Sequence, residues 1–173
     1  MPVIPEHWWA IYDTGERDPF PIPGDILIVR GNGFVSHAIR TVTRGQFNHC
    51  AVVVRGGANA VVSQEAGKGD ELTPLSAFDD VPYATLHIQG PDDQRDNAVA
   101  FAEKIVGSGY GFLTIAADLF NAVTRVELDL GIGGRMVCST AACRTLERFG
   151  YIPSKNPSAM TPQDIANDFG IHL

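Results

Sequence analysis

Cysteine is scarce, with only Cys50, Cys138 and Cys143 in a chain of 173 residues. An odd, small number over that length is not a disulfide framework. No CxxC or HxxxH spacing occurs, so the usual paired ligands of a structural zinc site are missing as well. Basic residues are also few: 13 Lys and Arg stand against 20 Asp and Glu, a net charge of −7. With no surplus of cations to displace counterions, the chain is a poor match for nucleic acid. Binding to anionic lipid through a basic patch is disfavoured for the same reason. No run approaches the ~18 consecutive apolar residues of a membrane span, so no transmembrane segment is expected. Met1 to Phe20 has no basic start followed by an apolar stretch and is not a secretory leader. The expectation is a protein that is cytoplasmic as synthesised, or released by a leaderless route. Internal repeats and low-complexity runs are lacking. So is a phosphate loop: Gly131-Ile132-Gly133-Gly134 has neither the GxGxxG spacing nor the P-loop lysine.

What is present suits one domain spanning residues 1–173. The length lies near the roughly 150-residue expectation for a single unit. Apolar residues make up 45%, enough for a packed core. Residues 1–23 are rich in proline (Pro2, Pro5, Pro19, Pro21, Pro23) and read as an irregular N-terminal arm that packs through Trp8 and Trp9. After Gly24-Asp25, the apolar run Ile26 to Val29 reads as a buried strand. Phe34 to Arg44 suits a short helix. His49 to Val54, Ala60 to Ala66 and Tyr83 to Gln89 read as further strands. Helices are expected from Asp92 or Asp93 onward, over Phe112 to Val123, over Cys138 to Phe149 with Gly150 as the stop, and after Thr161-Pro162-Gln163-Asp164. Strands first and helices later favour an α+β fold with a mostly antiparallel sheet.

Cys138 draws attention because it begins a predicted helix. A helix start offers unsatisfied N–H groups and partial positive charge. A thiol there is biased toward the nucleophilic thiolate, and the same N–H groups can hold an oxyanion. A small packed hydrophobe is the competing reading. Cys143, five residues on and about 140° round the helix, suits that packed role better. His49 opens a strand. If Val54 pairs with Ala60 across the intervening turn, paired residue numbers total 114 and His49 falls opposite Glu65. A carboxylate there can fix the imidazole tautomer and stabilise the imidazolium. A shift of one residue would put the two on opposite faces and make Gln64 the second choice. His7, His37, His87 and His172 have no partner at useful spacing and read as structural or surface residues. A zinc site from His37, His49, Cys50 and Cys138 lacks any spacing signature. Asp25 suits a turn or edge residue better than an acid catalyst. Tyr110, between Gly109 and Gly111, covers a packed edge or walls a site.

In chain order, Gly24-Asp25 with an apolar strand, a helix, Asn48-His49 with an apolar strand, Glu65-Ala66, Gly109-Tyr110, Val137-Cys138-Ser139 and Thr161-Pro162-x-Asp164-Ile165 form an ordered set. The set resembles the circularly permuted branch of the NlpC-type cysteine peptidases, the YiiX-like proteins, akin to the lecithin:retinol acyltransferase group. The likeness runs from about Gly24 to Ile165, so residues 24–165 would be the core. It implies a circularly permuted papain-like fold, an antiparallel sheet packed against helices with the nucleophilic cysteine at a helix N-terminus. It further implies Cys138 as nucleophile, His49 as base, Glu65 as the residue orienting the histidine, and Tyr110 as a substrate-binding position. The family often has Tyr-Asp where this chain has Tyr110-Gly111, so the second position has no implied role. The implied activity is a thiol hydrolase, a cysteine peptidase or amidase acting on peptidoglycan peptides, with no cofactor and no metal. Two alternatives stand beside it. One is a lipid acyltransferase or thioesterase using the same three residues, with Phe112 to Val123 lining an acyl groove. The other is a catalytically inactive binding module on the same fold. The expected partner is a peptide or acyl-containing substrate, and the sequence carries no signal of oligomeric state.

Overall fold

A computed structural model describes residues 1–3, 9–11, 21–55, 60–65, 69–106 and 138–172. Within them the strands are β1 (Trp9–Ile11), β2 (Ile26–Val29), β3 (His49–Val53), β4 (Ala60–Glu65), β5 (Gly69–Pro74) and β6 (Tyr83–His87). The helices are α1 (Phe34–Thr43), α2 (Asp92–Ile105), α3 (Cys138–Glu147) and α4 (Pro162–Asp168), with short 3-10 turns at Leu75–Phe78 and Pro157–Ala159. The strands form one sheet in the order β1-β6-β2-β3-β4-β5. Every pairing between them is antiparallel. The architecture is therefore α+β, as the order of strand and helix patterns implies.

The two central strands read as unbroken apolar runs because both faces of the sheet are covered. On one face Ile26, Ile28, Cys50, Val52, Val54, Ala84, Leu86 and Ile88 meet α2, α3 and α4 through Ala98, Val99, Ala102, Ala142, Cys143, Leu146, Ile165 and Ala166. On the other, Leu27, Val29, Ala51 and Val53 pack with Leu75 and Phe78. Burying one such aliphatic side chain stabilises the fold by roughly 1.5–3 kcal/mol. α3 lies against β3, α2 and α4.

Several local expectations change. Trp9–Ile11 is not irregular chain: it forms an edge strand, pairing Trp9 with His87 and Ile11 with Thr85. β5 has no counterpart in the sequence reading. As the other edge of the described sheet it pairs only with β4, and its Leu72 stays 52% exposed, so no alternating pattern marks it. α2 begins after Pro91 with no side-chain cap. Asp92 and Asp93 instead occupy the first turn, where carboxylates favour the positive end of the helix dipole. α4 starts as expected, with Thr161 and Asp164 closing a reciprocal capping box and Pro162 in the first turn. The helix expected over Phe112 to Val123 and the glycines at 131–134 lie outside the described residues, as does Tyr110.

Candidate active site

Cys138 is the first residue of α3 and is half-buried. The helix start is pinned from below. Ser139 Oγ donates to the Met160 carbonyl at 2.6 Å, and Thr140 Oγ1 to the Pro157 carbonyl at 3.2 Å. Both hydroxyls are in buried residues, so these bonds also satisfy groups that would be costly to leave unpaired.

His49 is the first residue of β3, and its position depends on the loop before it. Asn48 Oδ1 accepts from the Gly31 N–H at 2.7 Å, and its Nδ2 donates to Ser36 Oγ at 3.0 Å. Arg40 donates to the Gly31 carbonyl on the same turn. Gly31 is glycine for a packing reason: a Cβ there would sit 2.8 Å from Ser36 Oγ and 3.3 Å from Asn48 Nδ2. From the far side of the loop, Gln163 of α4 accepts from the N–H groups of Gln46 and Phe47. Phe47 itself is fully buried.

Alternation along β3 sorts the two neighbours. Val29, the partner of His49, belongs to the Leu27–Phe78 core, and the His49 ring stacks on Phe78 at 6.3 Å with planes 10° apart. Cys50 points the other way, into the core beneath α3. Burial pushes the Cys50 thiol well up, and the Cys138 and Cys143 thiols nearby push it further. The helix begun by Cys138 packs on β3, the strand begun by His49, while the His49 side chain leaves β3 on the Phe78 face. Cys143 is fully buried and its thiol is pushed up to about 12, first by burial and then by Glu147.

Between β3 and β4, Val52 pairs with Val62 and Val53 with Val61, so paired numbers total 114, the register expected from the turn. Continued without a bulge, that register sets His49 against Glu65, the last residue of β4. The backbone of Glu65 pairs with Gly69 on its other side. Of the sequence-predicted set, then, Cys138 and His49 have described side chains, Glu65 a placed backbone, and Tyr110 falls outside the described residues. The apolar stretch suggested as an acyl groove falls outside them too. His37, one arm of the zinc alternative, is an exposed residue of α1, and among the described residues no group of three His, Cys, Asp or Glu side chains is arranged to hold a metal ion. Also among them, no helix is long and apolar enough to cross a membrane.

Two sets of polar residues escape the sequence reading. His87, which has no partner at useful spacing in the sequence, places Nδ1 3.0 Å from Asp25 Oδ2. The fully buried Asp25 also lies 3.5 Å from Arg95 Nη1 and accepts from the Ile22 N–H at 2.9 Å, so its turn position doubles as a buried anchor. Sixty-two residues separate Asp25 from His87, and no local spacing announces the pair. The second is Gln163, which crosses Gly45 and accepts from the Gln46 N–H 117 residues back along the chain.

No family model and no curated protein matches the chain. Among solved structures, it is similar to one titled as the metalloprotein YiiX from Escherichia coli O157:H7, DUF1105. The identity is 17%, the match covers 83% of this chain and 94% of that one, and the TM-score is 0.46.

Proposed function

We propose that this chain is a thiol hydrolase of the permuted papain-like type that cleaves an amide bond, with peptidoglycan peptides as the substrate class. The observation that carries the reading is that the helix begun by Cys138 packs on the strand begun by His49. In the proposed reaction His49 removes the proton from Cys138 Sγ, and the sulfur attacks the amide carbonyl carbon. The resulting oxyanion takes hydrogen bonds from N–H groups at the start of α3. The C–N bond then breaks, the imidazolium returns its proton to the departing amine, and water hydrolyses the thioester. Glu65 orients His49 from the neighbouring strand, and Tyr110 contacts the substrate.

One observation favours a second reading, a binding module with no catalysis. His49 leaves β3 on the face of Phe78 and stacks on that ring, a contact that an aromatic wall of a ligand site would make as readily as a catalytic base. Hydrolysis of defined muropeptides by the wild type, Cys138→Ala and His49→Asn separates the two. The hydrolase reading expects a loss on the order of a thousandfold or more in each variant. Equal hydrolysis by wild type and Cys138→Ala overturns it. Muropeptide binding without product from any of the three supports the module.

A further inference from the structure

The helix start that carries Cys138 and the loop that leads into His49 are tied to one short segment, Pro157 to Gln163. Towards α3, the segment offers the Met160 and Pro157 carbonyls to Ser139 and Thr140. Towards β3, it offers the Gln163 side chain. Gln163 Oε1 lies 2.5 Å from the Gln46 N and 3.3 Å from the Phe47 N, so one oxygen accepts from two successive N–H groups. Its Nε2 donates to Asn167 Oδ1 at 2.9 Å, one turn along α4, which decides which end of the amide faces the loop. Gly45 completes the contact. A Cβ at position 45 would sit 2.7 Å from Gln163 Cβ, Cγ and Oε1, closer than packed atoms approach. Gly45 is therefore bare because Gln163 crosses it.

We infer that Gln163, seated on Gly45, is a positioning residue: it fixes Gln46 and Phe47 and thereby sets His49 relative to the Cys138 helix start. The chemical consequence rests on the thiol-hydrolase reading, whereas the mechanical one does not. Phe47 is anchored in the core by its ring, and its N–H and that of Gln46 both donate to the acceptor that α4 supplies. The same α4 is locked by its capping box beside the carbonyls that hold α3. A shift of the segment moves both halves of the site together, and loss of Gln163 frees only the histidine half.

Three full-length variants test this. Gln163→Leu removes the acceptor at similar volume, Gln163→Glu keeps it, and Gly45→Ala pushes the side chain away. Amide hydrogen exchange at Gln46 and Phe47 reads the clamp, with β2 amides as the control for global folding. The rate of iodoacetamide alkylation at Cys138 against pH, mapped by peptide mass spectrometry, reads the site, with His49→Asn as reference. Gln163→Leu is expected to speed exchange of the two amides about tenfold while β2 is unchanged. Its alkylation profile is expected to move toward that of His49→Asn. Gln163→Glu should restore both readouts, and Gly45→Ala should resemble Gln163→Leu. Unchanged exchange at Gln46 and Phe47 in Gln163→Leu overturns the clamp. A wild-type alkylation profile that differs from that of His49→Asn, yet is untouched by Gln163→Leu, overturns the positioning role alone. A wild-type profile identical to that of His49→Asn overturns the hydrolase reading and the role with it, leaving the clamp to the exchange data.

Discussion

Asp25 carries more contacts than its place in a turn suggests. Its carboxylate is fully buried and meets His87 Nδ1 at 3.0 Å, Arg95 Nη1 at 3.5 Å, and the N–H groups of Ile22 and Ile88 at 2.9 and 3.4 Å. Through them it joins the entry to β2, the end of β6 and the first turns of α2. Arg95 is held independently by the carbonyls of Pro23 and Ile88, so removing Asp25 leaves a guanidinium fixed in place beside an empty site. Breaking a buried pair from one side is costly because the remaining charge stays desolvated. Asp25→Ala is expected to lower stability by about 3–5 kcal/mol in urea unfolding. A loss under about 1 kcal/mol, the scale of a surface pair, would show that the cluster is solvated. The same residue shows what composition hides. Gly24-Asp25 reads as a turn, and a turn it is: the Asp25 carboxylate accepts from Ile22 three residues back. The charge pairing that gives it weight comes from residues 62 and more positions away.

At the scale of the element, α4 is short, and its ends decide its stability. Thr161 Oγ1 accepts from the Asp164 N–H at 3.1 Å, while Asp164 Oδ2 accepts from the Thr161 N–H at 3.0 Å. Lys155 donates to the other carboxylate oxygen at 2.5 Å. Burial by itself would raise the Asp164 carboxyl, but the hydrogen bonds from Lys155 and Thr161 outweigh it and hold the group below its ordinary range. A carboxyl depressed in the folded state stabilises the protein above its unfolded pKa of about 3.9. That contribution is lost as pH falls through the lower folded value. Asp164→Asn should therefore cost about 0.5–2 kcal/mol at pH 7. Its thermal midpoint should also fall less than that of the wild type between pH 7 and pH 3, and parallel falls would refute the assignment. The cap is legible in Thr161-Pro162-Gln163-Asp164 because all its bonds lie within three residues. The β3–β4 register is legible for a related reason, since a short connection fixes which residues face each other. β5 is not, because an edge strand with one paired side needs no alternation. The Gln163 clamp is not legible either, since its partners lie 116 and 117 residues back along the chain. Cys138 and His49 can be singled out from the sequence because a helix start and a strand start are local features. The face on which His49 leaves β3 follows from pairing with Val29, which no local window contains.

The whole molecule sorts its thiols by depth. Cys138 lies half-buried at a helix end, whereas Cys50 and Cys143 are buried in the core between sheet and helices. Tyr151 joins them there, its hydroxyl donating to Asp168 Oδ2 at 2.5 Å, and burial followed by that bond pushes its pKa up. All three groups are neutral when protonated, and all three are raised in the folded state. An unfolded cysteine releases its proton near pH 8.5, whereas Cys143 holds its proton to about 12. The stability this gives is complete below about pH 8.5 and is lost as pH rises through the folded value, because the unfolded chain then gains by ionising first. Under reducing conditions the urea midpoint should therefore decline steadily from pH 8 to pH 11. Growing net negative charge on a chain already at −7 adds to that decline through self-repulsion. Cys143→Ala separates the two contributions. It keeps the charge pattern at pH 7 and lowers stability there by leaving a small cavity, yet it removes one group that must ionise on unfolding. Its midpoint is expected to start lower and fall less steeply, so that the two curves converge toward pH 11. Parallel curves would assign the alkaline decline to self-repulsion and leave the buried thiol without a share in it.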